Sequence, residues 1–130
     1  MRKALIVIGG VFNSFFALFH VLLSWGIHRT TGLPPAVKSL MEMLGISGML
    51  MFFFFAFASL LCWRDLLTTR LGRMVITLIA VVYLSRAAEE VLLTTRISPL
   101  IFGSCLLVGI IYTLALFPGG AERLAGASAD

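Results

Sequence analysis

The sequence is poor in charge and nearly free of cysteine. Asp, Glu, Lys and Arg together make up 12% of its 130 residues, about half the share carried by an ordinary soluble domain. A conventional water-facing surface is therefore excluded. There are two cysteines, Cys62 and Cys105. They fall on different predicted helices in opposite leaflets, too far apart for a disulfide, so cysteine usage carries no compartment signal. Catalytic signatures are missing as well: no phosphate-cradling glycine loop, no nucleophile elbow, no CxxC and no HExxH. Nothing in the motif inventory calls for an enzyme.

What the chain does contain is apolar length. Hydrophobic residues make up 60% of it, and its mean hydropathy is +1.06. A helical span needs roughly 20 mainly apolar residues, and four stretches qualify: residues 4–27, 40–62, 73–94 and 98–117. The fold class expected is all-α, an integral membrane four-helix bundle over residues 1–118, with a flexible cytoplasmic tail at 119–130. The run after Met1, Arg2 and Lys3 imitates a secretory leader. It continues to Trp25 without a small-residue cleavage pattern, so it reads as a retained first span.

Punctuation separates the spans. Gly32, Pro34 and Pro35 break the chain after the first and favour an extended turn. A basic linker from Arg64 to Arg73 follows the second, and Ser98 with Pro99 makes an N-cap and first-turn proline for the fourth. Pro118, Gly119 and Gly120 stop that last helix. Short connections make successive helices antiparallel, giving up-down topology.

One side of the bundle holds Arg2, Lys3, Arg64, Arg70, Arg73 and Arg123, the other Arg29, Lys38 and Arg96. The positive-inside rule then puts both termini in the cytoplasm of a multi-pass protein of a cell membrane, as in the bacterial inner membrane. The formal net charge of +4 is explained by these segment ends, and nucleic acid is not an expected partner.

Against this background the third span is anomalous. Its uncharged stretch ends at Ser85, so Arg86, Glu89 and Glu90 fall inside the length needed to cross. Ionisable groups in hydrocarbon cost a few kcal/mol each and need partners. At about 100° per residue, Tyr83, Arg86 and Glu90 share a face, and Glu89 flanks Arg86. On the first span, Asn13, Ala17, His20 and Ser24 form a polar stripe bordered by Gly9 and Gly10, small residues that favour close helix packing. Glu42 lies one turn inside the outer end of the second span, followed by Gly45 and Gly48; Ser98 and Cys105 share a face of the fourth.

The candidate ligand-binding residues are thus Asn13, His20, Glu42, Tyr83, Arg86, Glu89 and Glu90. If they converge, three carboxylates face one guanidinium, and the balance must come from protonation, from His20 or His28, or from a cationic guest. The expectation is an outward-facing polar pocket that binds a small polar or cationic ligand, or protons, in transport or sensing.

Each of these features also has a plainer explanation. The third-span charges can form a structural ion-pair network with side chains snorkelling to headgroups, and His20 can be a buried histidine bonded to a neighbouring helix. Met41, Met43, Met49 and Met51 fit apolar packing better than a copper path, because i+2 spacing sends neighbours to different faces. Haem is disfavoured because His20 and His28 share one helix and point about 80° apart. A metal on His20, Glu42 and Glu89 or Glu90 is chemically reasonable but has no spacing signature. No cofactor is assigned, and metal binding stays open.

Two other functional classes follow from the same residues. One is a non-catalytic accessory or structural subunit of a larger membrane complex. The other is an oxidoreductase component whose His20, Tyr83 and Arg86 hold a quinone or lipid head group. Expected partners are membrane lipid, a homo-oligomer or larger membrane complex, and the small polar or cationic ligand.

Overall fold

The computed structural model describes residues 1–93 and 97–117, and its regular structure is entirely helical. In chain order the elements are α1 (Arg2–Arg29), α2 (Pro35–Leu61), α3 (Trp63–Thr68), α4 (Arg70–Leu92) and α5 (Pro99–Leu116). An α-helix satisfies its own backbone groups, which is what hydrocarbon demands of any segment within it. By length and composition α1, α2 and α5 are each able to cross a membrane. With 23 residues α4 is about 34 Å long. It carries Arg86, Glu89 and Glu90 in its last two turns and falls outside that apolar class.

Helix boundaries differ from the sequence reading where capping chemistry decides them. α2 begins at Pro35 rather than near residue 40, because Pro34 takes the N-cap position and Pro35 the first turn, where no backbone donor is required. Gly32, at φ +97°, makes the reversal before it in a region that other residues rarely enter. The basic linker is partly helical. It coils into α3 and stops at Thr69, whose hydroxyl accepts from Gly72 N–H at 2.8 Å and caps α4. Ser98 is the N-cap of α5, with Pro99 in the first turn. The expected end of the third span at Thr94, the Pro118–Gly120 stop and the tail lie outside the described residues.

α1 packs on both α2 and α5, α4 packs on α5, and α3 folds beneath α4. Glycines set the approach. Gly10 faces Ser59 and Leu60 while Gly48 faces His20, so α2 returns antiparallel to α1. Gly9 lies against the Tyr112 ring and Arg2 Nε donates to Ala115 O at 3.0 Å, so α5 also runs against α1. Ile6, Phe52, Phe55, Ile76, Ile79 and Val108 fill the space between helices. The phenylalanine run divides: Phe52 and Phe55 are buried, Phe53 and Phe54 point outward. Phe15, Leu22, Leu50 and Leu78 join them on an apolar exterior, costly in water and suited to acyl chains. Both cysteines are free.

Candidate functional site

At mid-bundle one polar side chain from each of the four long helices meets the others. Tyr83 Oη on α4 donates to Asn13 Oδ1 on α1 at 2.6 Å. Asn13 Nδ2 donates to Tyr112 Oη on α5 at 2.7 Å. That phenol in turn shares a 2.6 Å hydrogen bond with Ser59 Oγ on α2. All four are almost completely buried. In this four-helix clasp Asn13 uses both ends of its amide, one as acceptor and one as donor, so neither tyrosine is left unpaired.

Outward along α1 lies His20. Its Nδ1 is 2.9 Å from Phe16 O. A carbonyl can only accept, so Nδ1 carries a proton in this bond, and among the described residues Nε2 has no hydrogen-bond partner. The imidazole sits over Gly48, where any side chain would displace it, and its ring centroid is 4.9 Å from that of Phe52. Phe16 and Phe52 stack at 5.5 Å, and each contacts Tyr83. Aromatic rings therefore separate His20 from the clasp. One turn further along, Ser24 Oγ is buried against Gly45 without a hydrogen-bond partner among the described residues. His20, Leu23, Ile27, Met41, Leu44 and Gly45 line a cleft of about 220 Å³ beside it.

Glu42 is paired differently from the sequence reading. Its Oε1 is 3.1 Å from His28 Nδ1, across the turn that joins α1 to α2. Lys38 Nζ closes the same corner by donating to His28 O at 2.6 Å and Thr30 O at 3.3 Å, which satisfies carbonyls at the end of α1.

On α4, Arg86 lies 3.1 Å from Glu90 and 3.8 Å from Glu89. These three have unequal surroundings. The Glu90 side chain is only 5% exposed, against 43% for Arg86 and 53% for Glu89. Glu90 Oε1 also accepts from Ser98 N–H at 3.0 Å, so a carboxylate from α4 caps the first turn of α5.

The seven candidate residues thus occupy three places. Asn13 and Tyr83 meet in the clasp, Arg86, Glu89 and Glu90 form a cluster at the end of α4, and His20 and Glu42 lie along the α1–α2 seam. They do not line one chamber. Each carboxylate has its own surroundings: Glu42 lies against His28, Glu90 against Arg86 and a backbone donor, and Glu89 is half exposed beside Arg86. Among the described residues no three His, Cys, Asp or Glu side chains gather as a metal-ligand set.

Sequence reasoning missed Ser59 and Tyr112 as partners, whereas it named His28 as a possible source of balancing charge and Ser24 as a member of the α1 stripe. A signal existed for the two it missed. Ser59 shares a buried face with Phe52, Phe55 and Ala56, and Tyr112 one with Cys105, Val108 and Gly109. Each is a polar group on a face otherwise committed to packing.

Compared with known proteins, the chain matches no family model, no curated protein and no solved structure.

Proposed function

We propose that α1, α2, α4 and α5 cross the bilayer as an up-down four-helix bundle with both termini cytoplasmic, and that the chain serves as a non-catalytic accessory or structural subunit of a larger membrane complex. The observation that carries this reading is the clasp. Its polar atoms are spent on other helices, and it holds no free group for a guest. The charged residues point the same way, since Arg86 and Glu89 stand half in the open and Glu42 is engaged at a turn. The residues that suggested a chamber then hold helices together and present an apolar exterior to lipid and to a partner.

Chemical cross-linking in intact membranes followed by size fractionation in mild detergent tests this reading. The expected result is one defined larger assembly recovered with the tag on either component. A chain that runs alone, stable and monodisperse, with no cross-linked partner, would overturn it.

A second reading keeps an outward-facing site for a small polar or cationic ligand, or for protons, in transport or sensing. A specific observation favours it: His20 and Gly45 line one cleft, and the Ser24 hydroxyl, without a hydrogen-bond partner among the described residues, is packed against that glycine. His20→Gln and Ser24→Ala proteins in vesicles should then lose proton or cation flux, or ligand-dependent protection. Unchanged behaviour of both variants removes this reading.

A further inference from the structure

We infer that the end of the bundle built from Lys3, Trp63, Arg64, Arg70 and Arg73 is a binding surface for the headgroups of anionic phospholipids. The argument starts from how the cations are held. Lys3 Nζ, from the first turn of α1, lies 4.4 Å from the centre of the Trp63 ring, and the Arg64 guanidinium lies 5.2 Å from it. An aromatic ring positions a cation through its quadrupole without neutralising it. Both charges thus stay available to a phosphate.

The next two cations are brought in by backbone contact. α3 lies so close to α4 that a side chain at Gly72 would strike the backbone of Asp65 and Leu66. This sets Arg70 and Arg73, in the first turn of α4, beside α3. Leu66 is buried and Leu67 half-buried beneath, so α3 is pinned by its apolar side, while Lys3, Arg64, Arg70 and Arg73 are all exposed. Among the described residues none of these four forms a salt bridge, and Asp65 is the single carboxylate on α3.

The opposite end behaves otherwise. There the Arg29 guanidinium lies 4.6 Å from the centre of the Trp25 ring, but Glu42, Glu89 and Glu90 accompany the cations and each has a basic neighbour. Among the described residues the Trp63 end therefore carries a net positive charge beside apolar surface, with Arg2, Lys3, Arg64, Arg70 and Arg73 against Asp65, whereas the opposite end sets Arg29, Lys38 and Arg86 against its three carboxylates; tryptophan is a residue that favours the membrane interface. A phospholipid fits both halves of that surface. Its phosphodiester meets the ammonium and guanidinium groups, and its acyl chains continue along the apolar flank of α4, where Leu71, Met74, Leu78 and Val81 border a groove. A soluble anion would use only the first half.

The test uses the full chain carrying Trp25→Phe, so that emission comes from Trp63 alone, in symmetric vesicles where orientation has no influence. Bromine is placed on the acyl chains of phosphatidylglycerol or of phosphatidylcholine in otherwise identical mixtures. The expected result is several-fold stronger quenching by the brominated anionic lipid. Each of Lys3→Gln and Arg64→Gln should cut that preference about fivefold, and raised ionic strength should weaken it.

Arg70→Gln and Arg73→Gln leave the tryptophan platform untouched and should have the same effect. They keep the test decisive if a change at Lys3 disturbs the fold. Equal quenching by the two lipids would overturn the inference, as would a preference that survives all four substitutions. Loss of the preference in inorganic phosphate but not in chloride of equal ionic strength would also overturn it, in favour of a free-anion site. The result does not depend on whether the chain has a protein partner.

Discussion

The centre of the bundle and the end where α1 stops and α5 begins both contain polar side chains in an apolar chain, yet they use them in opposite ways. At the centre Asn13, Ser59, Tyr83 and Tyr112 come from four different helices, and every bond joins one helix to another. At the end, Arg86 meets Glu89 and Glu90 within one helix, and His28 meets Glu42 across a short turn. The first arrangement depends on the whole fold and reports on it. The second depends mainly on local spacing, and all its members except Glu90 are at least partly exposed. A polar residue in an apolar helix is therefore informative about architecture according to how far away its partner lies in the sequence.

Substitutions can break that contrast, and the largest effect is expected at the amide shared by two tyrosines. Asn13→Leu removes the acceptor of Tyr83 and the donor to Tyr112 and leaves buried hydroxyls short of partners. It should cost about 2–3 kcal/mol in reversible unfolding in detergent micelles. A loss under 0.5 kcal/mol would show that the centre resembles the end. Next comes the α1–α2 seam: Gly48→Val drives a side chain into the His20 ring and should cost about 1–3 kcal/mol by the same measurement.

The contrast is sharpened within a single cluster. Glu90→Leu deprives both Arg86 and the Ser98 N–H of their acceptor and should cost about 1–2 kcal/mol, whereas Glu89→Gln, at the exposed partner, should fall within about 0.5 kcal/mol of the parent. Equal effects would mean that burial of Glu90 has no energetic consequence. The smallest change is expected for Glu42→Gln, where the pair with the exposed His28 contributes about 0.5 kcal/mol or less to thermal stability.

Helices were readable from the sequence because apolar length and turn residues both act locally. The close approach at Gly9 and Gly10 and the position of Ser98 at the start of α5 follow from spacing within one segment. The α1 stripe was legible for the same reason, and its inner member Asn13 is buried. Partners within one helix were legible too, as with Arg86 and its two carboxylates, but partners on other elements were not. Glu42 turns to His28 because Gly32 and Pro35 bring α2 back at a particular angle, and no periodicity within either helix encodes that angle. Glu90 reaches Ser98 because the chain returns on itself soon after α4 ends, which a count of charges cannot reveal. Ser59 and Tyr112 were overlooked because they carry no charge, although a hydroxyl on a packed face is as strong a sign of a cross-helix bond as a carboxylate. The start of α2 was placed too late because Pro35 was read as a breaker when its position makes it an initiator.

If α1 crosses the bilayer as proposed, the two tryptophans give the molecule a built-in depth gauge. Trp25 is near one terminus of α1, and Trp63 is tied to Lys3 near the other. From residue 3 to residue 25 the helix rises about 33 Å, close to the thickness of a bilayer's hydrocarbon layer. With α1 across a bilayer, as proposed, the two indoles cannot both stay level with the interface when the membrane is thinner or thicker, and the chain must lean or drag the surrounding lipid to suit. The emission of one indole relative to the other should then record the local thickness of whatever membrane the protein occupies.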